Sequence, residues 1–302
     1  MILKGVFMSD YLKSPLNYTG GKYKLLKQIE PLFPKNINTF VDLFAGGCNV
    51  AVNIDAKKII ANDISTDIIN LYKFFKKSSS EKIIEKIEII IENYELSNTT
   101  KYGYEKYNTN SSSGVGKYNK KFYEKLRADY NENPSELMFY TTLIFAFNNQ
   151  IRFNASGRFN TPVNKRDFNK NMKKNLGLFI DRLNTLNISF NSKHFKDVKI
   201  PSDSFVYIDP PYLATQATYN ENGGWNETKE IELLKYMDEL NAKNIKFALS
   251  NVFENKGRKN NLLIEWSKKY NIHNLEHTYH NCSYHAKDKN TNTTQEVLIT
   301  NY

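Results

Sequence analysis

The segment with the clearest chemistry is Asp209-Pro-Pro-Tyr212, which follows directly on the apolar run 205–208. Two consecutive prolines stiffen the chain and remove two N–H donors, which leaves carbonyl oxygens available as acceptors. The Asp209 carboxylate and the Pro210 carbonyl could each accept one N–H of an exocyclic amino group, while the Tyr212 ring stacks on the planar ring that bears it. Read alone, the tetrapeptide also fits an ordinary rigid turn at the end of a strand.

A second motif, Asp42-Leu-Phe-Ala-Gly-Gly-Cys48, ends an apolar run, and Asp63 follows about 20 residues after Asp42. An acid at that distance commonly receives ribose hydroxyls at the edge of a parallel sheet. The G-x-G-x-x-G pattern is absent, so a nicotinamide or flavin dinucleotide is disfavoured. The motif favours a nucleoside-type cofactor without a pyrophosphate, or else a plain strand-turn-helix.

A third motif near the N-terminus, Ser14-Pro-Leu-Asn-Tyr18-Thr-Gly-Gly-Lys22, precedes an amphipathic segment at 24–32. Its two glycines permit close approach of the backbone, and Lys22 at the following turn could reach a carboxylate. By itself the segment fits a helix-entry loop equally well.

The elements that must position these motifs follow an α/β pattern. Apolar runs at 36–46 and 58–63, with helical spacing at 68–75 and 81–94, predict a βαβα unit and hence a parallel sheet. Further strands are predicted at 188–191, 204–209, 246–250, 272–278 and 296–301, with helices at 229–241 and 261–270. Between them lie a predicted mobile loop at 97–121 and helices at 122–131, 136–148 and near 176–186.

The charge is concentrated in the middle of the chain. Lys and Arg number 42 against 32 Asp and Glu, a net charge of +10, and the whole excess lies within residues 101–200. A local basic block between nearly neutral flanks favours a surface that binds a polyanion. The alternative is a genome whose composition favours Lys and Asn.

The rest of the composition argues against membrane, secreted, disulfide-rich and metal-binding proteins. No apolar run reaches the roughly 20 residues of a membrane helix, and the N-terminus lacks a signal-peptide pattern, so we expect a soluble, cytoplasmic protein. Two cysteines, Cys48 and Cys282, cannot form a disulfide framework, and Cys48 is expected to be a small buried residue. His277, His280 and His285 are interpreted as a polar surface segment, and we predict no metal site.

Together and in this order, the three motifs resemble the Dam-like, alpha-class (D12 type) adenine-N6 DNA methyltransferases. The resemblance also includes Ala61-Asn-Asp-Ile-Ser65, Arg152-Phe-Asn, Gly157-Arg-Phe-Asn-Thr-Pro162 and Leu249-Ser-Asn251. It implies a Rossmann-like methyltransferase fold with a mostly parallel, seven-stranded sheet and an inserted target-recognition domain. The implied parts are a cofactor-binding half at 1–75, a target-recognition insertion at 76–185 and a catalytic half at 186–302.

The resemblance also implies the site. The cofactor would be S-adenosylmethionine, and the expected contacts to it are Tyr18, Lys22, Phe44, Gly46, Asp63 and Asp209. Asp209, Pro210 and Tyr212 would be the catalytic residues. One departure is Cys48, which replaces the second glycine of the family's F-x-G-x-G pattern, so the backbone there could be tighter.

The expected substrate is adenine N6 in double-stranded DNA, which a hairpin within the basic segment would contact. Arg152, Asn154, Arg158 and Lys165 are the expected DNA-binding residues, since Arg and Asn read base edges and Lys neutralises phosphates. A cognate restriction endonuclease is an expected partner, without a stable complex, unless the enzyme is an orphan or phage protein. Alternatives are an RNA or cytosine-N4 amino-methyltransferase and a DNA-binding relative without catalysis. The recognition site, of GATC, CATG or another type, is left open.

Overall fold

The computed structural model describes residues 11–215, 224–276 and 294–302. The chain divides into two compact units, each made of several segments. The helical unit comprises 11–21, Gly46–Val52 and Ser65–Leu186. The sheet unit comprises Lys22–Ala45, Asn53–Ile64 and the described residues of Asn187–Tyr302.

All described strands belong to the sheet unit. They are β1 (Ile37–Asp42), β2 (Ala56–Asn62), β3 (Ile188–Asn191), β4 (Ser204–Ile208), β5 (Lys246–Asn255), β6 (Arg258–Lys259), β7 (Asn271–Leu275) and β8 (Thr294–Thr300). The continuous order is β3-β2-β1-β4-β5-β8-β7, and the two-residue β6 pairs only with β5. β8 runs antiparallel to both of its neighbours, whereas the strands from β3 to β5 are all parallel. The predicted mostly parallel sheet with seven strands in one path is confirmed, and β6 is an addition to it.

Apolar strands and helix faces form the core of the sheet unit. β4 is buried at every position, which is typical of a parallel strand covered on both faces. The described part of this unit contains three helices: α1 (Leu26–Ile29), α8 (Glu227–Ala242) and α9 (Asn261–Ser267). Asn226 and Asn260 cap α8 and α9 by accepting hydrogen bonds from the backbone N–H of Lys229 and Leu263, which satisfies orphan donors of the first turn.

The helical unit contains α2 (Thr66–Phe75), α3 (Ser80–Asn93), α4 (Thr99–Tyr102), α5 (Gly116–Glu132), α6 (Glu136–Phe145) and α7 (Lys170–Thr185). Short 3-10 turns occur at Lys22–Leu25, Glu30–Leu32, Ala51–Asn53, Glu105–Tyr107, Phe147–Asn149 and Phe195–Asp197. Ser79, Ser135 and Asn169 cap α3, α6 and α7 in the same way. In the described residues, no helix is long and apolar enough to cross a membrane.

The prediction of a mobile loop at 97–121 is wrong. This stretch includes α4 and the first turn of α5, and Ser97 and Asn119 are fully buried. The cause is Asp167, whose carboxylate accepts hydrogen bonds from the Ser97 hydroxyl and from the backbone and hydroxyl of Thr99. Local periodicity does not reveal an anchor this distant in sequence.

Candidate active site

Three of the predicted site residues follow the ends of three adjacent parallel strands. Asp42 of β1 pairs with Ala61 of β2 and with Tyr207 of β4 in one row across the sheet. Phe44, Asp63 and Asp209 each stand two residues beyond that row. The register therefore brings an aromatic side chain and two carboxylates to the carboxyl edge of the sheet, where open α/β folds bind ligands.

The loops at this edge are held by Asn62, a residue that the sequence did not single out for this role. Its side-chain amide donates to the carbonyls of Leu43 and Lys193, and its side-chain oxygen accepts from the Lys193 N–H. Asp63 is buried, whereas the neighbouring Ile64 is 70% exposed. A buried acid beside an exposed aliphatic side chain offers a hydrogen-bond acceptor and an apolar surface next to each other.

Asp209 lies in a compact cluster with Lys22 and Tyr212. Lys22 Nζ lies 2.9 Å from Asp209 Oδ1, and the Tyr212 hydroxyl donates to the same oxygen at 2.8 Å. The ammonium also lies 4.9 Å from the centre of the Tyr212 ring. The Lys22 side chain is only 3% exposed, so this ion pair forms away from bulk solvent. The structure thus joins Lys22 of the N-terminal motif to both ends of Asp209-Pro-Pro-Tyr212.

Sequence reasoning missed a fourth member of the cluster, Glu296 of β8. Its Oε1 lies 3.7 Å from Lys22 Nζ and 3.5 Å from the Tyr212 hydroxyl, and its side chain is 7% exposed. One signal could have identified it: Glu296 is the only acid in the predicted strand 296–301, and the apolar run 297–299 follows it directly. Isolated acids in buried strands are rare without a partner.

Burial dominates the titration of this cluster. It raises the pKa of Asp209, against the opposing influence of the Lys22 charge and the hydrogen bonds from Lys22 and Tyr212. Burial also raises the pKa of Glu296, which Lys22 lowers and the Asp209 charge raises further. The pKa of the Tyr212 phenol lies well above its ordinary value, first because of burial and then because of both carboxylates. Tyr212 therefore stays protonated and acts as a donor.

The Phe44 ring is held by a second buried network. It packs edge-on against Trp225, with ring centres 5.9 Å apart, and against Phe195. The Trp225 indole N–H donates to the Glu230 carboxylate at 2.6 Å, and Asn260 donates to the same carboxylate at 2.7 Å. Glu230 is fully buried, and burial raises its pKa. This network fixes the orientation of Trp225 and, through it, that of Phe44.

The two remaining residues predicted to contact the cofactor lie together in the helical unit. Gly46 has a left-handed φ of 44°, and a Cβ at this position would lie 2.7 Å from the Tyr18 ring. The Gly46 carbonyl accepts a hydrogen bond from the Tyr72 hydroxyl at 2.8 Å. Cys48 is fully buried as predicted, and it also has a left-handed φ, 58°. The turn therefore persists without the family's second glycine, with a cysteine in a conformation that favours glycine.

Gly46→Ala is expected to displace the Tyr18 ring and to raise the KM for the cofactor that the family resemblance implies about ten-fold or more, since both the new methyl group and the left-handed backbone oppose the native packing. Steady-state assays of the implied methyl transfer at varied cofactor concentration measure the effect. Gly157→Ala is the matched control, because Gly157 also has a positive φ but no atom lies within 4 Å of its added Cβ. Equal KM changes in both variants would contradict the prediction.

The basic segment forms the predicted hairpin, within the helical unit. Antiparallel bridges join Ala146 to Val163 and Phe153 to Phe159. Asn154 organises the tip, because its side-chain oxygen accepts from the backbone N–H groups of Ser156 and Arg158. Phe153 and Phe159 pack on each other edge-on, with ring centres 5.6 Å apart, which anchors the two arms of the hairpin.

All four predicted DNA-binding side chains are exposed, and the two arginines, like Asn154, are ordered by partners within the unit. Arg152 donates to the side chain and the carbonyl of Asn160. Arg158 pairs with Glu132 at 2.7 Å. The nearby helix α7 carries three lysines in its first turns, Lys170, Lys173 and Lys174, of which Lys173 pairs with Glu88. The hairpin therefore presents guanidinium groups in defined orientations.

No group of three or more His, Cys, Asp or Glu side chains within 11–215, 224–276 and 294–302 could hold a metal ion. The three histidines interpreted as a polar surface segment, His277, His280 and His285, lie outside the described residues, as does Cys282.

Comparison with known protein sequences identifies the family. The family model for D12 class N6 adenine-specific DNA methyltransferases matches residues 18–281. Modification methylase StsI of Streptococcus sanguinis and Type II methyltransferase M.FokI of Planomicrobium okeanokoites are each 44% identical over 303 residues, which cover 97% of this chain and 43% of each relative. The chain thus spans less than half the length of these two relatives.

A third relative is similar in length. The DNA adenine methylase of Salmonella typhi is 26% identical over 246 residues, which cover 78% of this chain and 79% of that protein. The family match begins at Tyr18, within the N-terminal motif, and covers the rest of that motif, the other two motifs and the hairpin. This chain belongs to the D12 class of N6 adenine-specific DNA methyltransferases.

Proposed function

We propose that the chain transfers a methyl group from S-adenosylmethionine to the N6 atom of adenine in double-stranded DNA, at a specific site. The observation that carries this proposal is the position of Asp209, two residues past the same row of the sheet as Asp63, with Tyr212 hydrogen-bonded to it. The names of the relatives support a modification role. We propose that a cognate restriction endonuclease acts separately on the same site. Such an enzyme would work in the cytoplasm, with its DNA.

The residues of the sheet unit suit a nucleoside cofactor. Asp63 could accept the ribose hydroxyls, and the exposed Ile64 and the partly buried Phe44 offer apolar surfaces for a base. Gly46 and Tyr18 of the helical unit are the proposed further contacts. S-adenosylmethionine would supply an electrophilic methyl group when bound.

The proposed roles of Asp209 and Tyr212 follow from what adenine N6 requires. The target base must leave the duplex stack, which costs a few kcal/mol, because its amino group is otherwise inaccessible. Stacking of the base on Tyr212 would offset roughly 1–3 kcal/mol of that cost. Asp209 and the Pro210 carbonyl would then each accept one N6–H bond. These bonds orient the nitrogen lone pair and favour the positive charge that develops on N6.

Two rival functions differ in substrate or in catalysis. Asp-Pro-Pro-Tyr also suits guanine N2 of RNA or cytosine N4, because each is an exocyclic amino group on a planar ring. A DNA-binding relative without catalysis would need neither the buried Lys22–Asp209 pair nor the ordered Tyr212 hydroxyl. The family match from 18 to 281 favours adenine N6.

The test is transfer of tritiated methyl groups from S-adenosylmethionine to unmethylated, amplified DNA and to total RNA, followed by single-molecule sequencing of the DNA. We expect incorporation into DNA alone, with N6-methyladenine at one short motif. Methylation of RNA, or of cytosine, would overturn the proposal in favour of one rival. Binding of DNA without incorporation would favour the other.

DNA binding by the helical unit should depend steeply on salt. Replacing the exposed Lys165, Lys170 and Lys174 with glutamine is expected to reduce the slope of log Kd against log salt by about one for each phosphate that is no longer neutralised. Fluorescence anisotropy with a labelled duplex at several salt concentrations measures it. The control is the same change at three exposed lysines of the sheet unit, Lys199, Lys235 and Lys243. Equal slopes in the two triple variants would show that the basic segment does not bind phosphate.

A further inference from the structure

Resting on the proposed function, we propose that Glu296 is a positioning residue for methyl transfer: it neutralises Lys22 and so leaves the negative charge of Asp209 available to the substrate amino group. Glu296 acts through Lys22 and Tyr212 and is not expected to touch the adenine. The inference comes from the geometry of one buried cluster.

The charges of the cluster are the first observation. Lys22 Nζ lies 2.9 Å from Asp209 and 3.7 Å from Glu296, and the Lys22 and Glu296 side chains are 3% and 7% exposed. Lys22 and Asp209 alone would form a neutral pair. With an ionised Glu296, the same cluster has a net charge of −1.

That difference matters for the reaction. The amino nitrogen gains positive charge as it is methylated, and a neutral pair gives this charge little net stabilisation. Because water is largely excluded from the cluster, one uncompensated negative charge is screened much less than it would be in bulk water. Glu296 would supply that charge balance before the base arrives, so no reorganisation is needed during the reaction.

The acceptor capacity of Asp209 is the second observation. Its Oδ1 already accepts from Lys22 and from the Tyr212 hydroxyl. The Tyr212 hydroxyl lies 3.5 Å from Glu296 Oε1, so a second carboxylate is within reach of both donors. When the base binds, ahead of methyl transfer, a small shift of these donors toward Glu296 would release Asp209 Oδ1 for an N6–H bond while both donors keep a partner.

The backbone of Glu296 is fixed for such a role. It lies opposite Val252 of β5 on one side and Leu275 of β7 on the other, so β8 is paired along both edges at this position. Among the described residues, the charged or titratable groups that face Glu296 are Lys22 from the 3-10 turn Lys22–Leu25, Asp209 and Tyr212 after β4, and Tyr207 within β4. The carboxylate is therefore held in place by the sheet and directed at the cluster.

The first experiment uses Glu296→Gln, which keeps the shape of the side chain and removes its charge. Single-turnover methyl transfer with excess enzyme, saturating cofactor and a duplex containing the mapped site gives the rate against pH. We expect a plateau rate lower by about ten-fold or more. We also expect the acidic limb to move to lower pH by about one pH unit, because removing a neighbouring negative charge favours ionised Asp209. A merely structural role would lower the plateau without moving the limb.

The control is Glu254→Gln, the same chemical change at a half-exposed residue of β5 that pairs with Lys259 outside the cluster. This variant should have the plateau rate of the wild type and an acidic limb at the same pH. An unshifted limb and an unchanged plateau in Glu296→Gln would overturn the inference. If Glu296→Gln unfolds, as thermal melting would show, Glu296→Asp provides the second variant: it should keep the limb near the wild-type position and lose less rate than the glutamine variant.

A double-mutant cycle with Lys22→Met tests the route of the effect. If Glu296 acts by neutralising Lys22, Glu296→Gln should change the rate by no more than about two-fold in the Lys22→Met background. An equal loss of rate in both backgrounds would show that Glu296 does not act through Lys22. Failure of the proposed function is distinguishable, because the wild-type protein would then not methylate adenine in DNA, whereas failure of this inference alone leaves the wild type active and Asp209→Ala inactive.

Discussion

Asp209→Ala is expected to lower the rate of methyl transfer by about 10³-fold, while affinity for S-adenosylmethionine falls much less. Asp209 is the carboxylate that Lys22 and Tyr212 both contact, and it lies at the sheet edge in register with Asp63. Its removal takes away the proposed acceptor for the N6 amino group and the charge that would stabilise the developing cation. Asp209→Asn should be nearly as inactive, because an amide keeps the shape but not the charge.

Tritium transfer to DNA under single-turnover conditions measures the loss, and calorimetric titration with cofactor measures binding. The matched control is Asp203→Ala, since Asp203 is an exposed acid just before the same strand, β4. It should behave as wild type. Turnover by Asp209→Ala within a few-fold of wild type would remove Asp209 from the chemistry and refute the proposed mechanism.

Lys22→Met is expected to lower the free energy of unfolding by about 3–5 kcal/mol near neutral pH, because two buried carboxylates lose their cation. The loss should depend on pH. Burial already raises the pKa of Asp209 and of Glu296 above their ordinary values of 3.8 and 4.5, and removing Lys22 should raise both further. A raised carboxyl pKa means that the folded protein keeps protons that the unfolded chain releases. The contribution of these two carboxyl groups to the free energy of unfolding is therefore fully present below about pH 4. It declines as the pH rises through their pKa values in the folded protein.

Urea unfolding at pH 5 and at pH 8 checks both parts of this prediction. The difference between wild type and Lys22→Met should be larger at pH 8. Lys24→Met is the control, because Lys24 lies in the same 3-10 turn but is exposed. A pH-independent difference would mean that Lys22 stabilises the fold by packing its alkyl chain and not by its charge.

Much of the sheet was predictable because parallel strands that are covered on both faces consist of short runs of apolar residues. The strand at 188–191 was predicted with the observed bounds, and the runs ending near Asp42, Asp63 and Asp209 became β1, β2 and β4. The helical repeats of α3 and α8 were identified within two residues at each end, since an amphipathic face has a local period.

Side-chain partnerships across long sequence distances were not predictable. Asp167 orders Ser97 and Thr99, and Asn62 joins the loops after β1 and β3, yet neither residue stands out by local pattern. The hairpin itself was expected, but the pairing of Arg158 with Glu132 was not. Such contacts depend on which segments become neighbours after folding.

The sequence by itself determined the family and the presence of the strands that lead to Phe44, Asp63 and Asp209, because these depend on short motifs and on periodicities of two and 3.6 residues. The tertiary structure decided the surroundings of Asp209. Sheet pairing brings Glu296 of β8 and Lys22 of the N-terminal motif to one carboxylate, although they lie 274 positions apart in the chain. The energetics of a buried charge depend on every group within a few ångströms, and those neighbours are set by strand order, which no local pattern encodes.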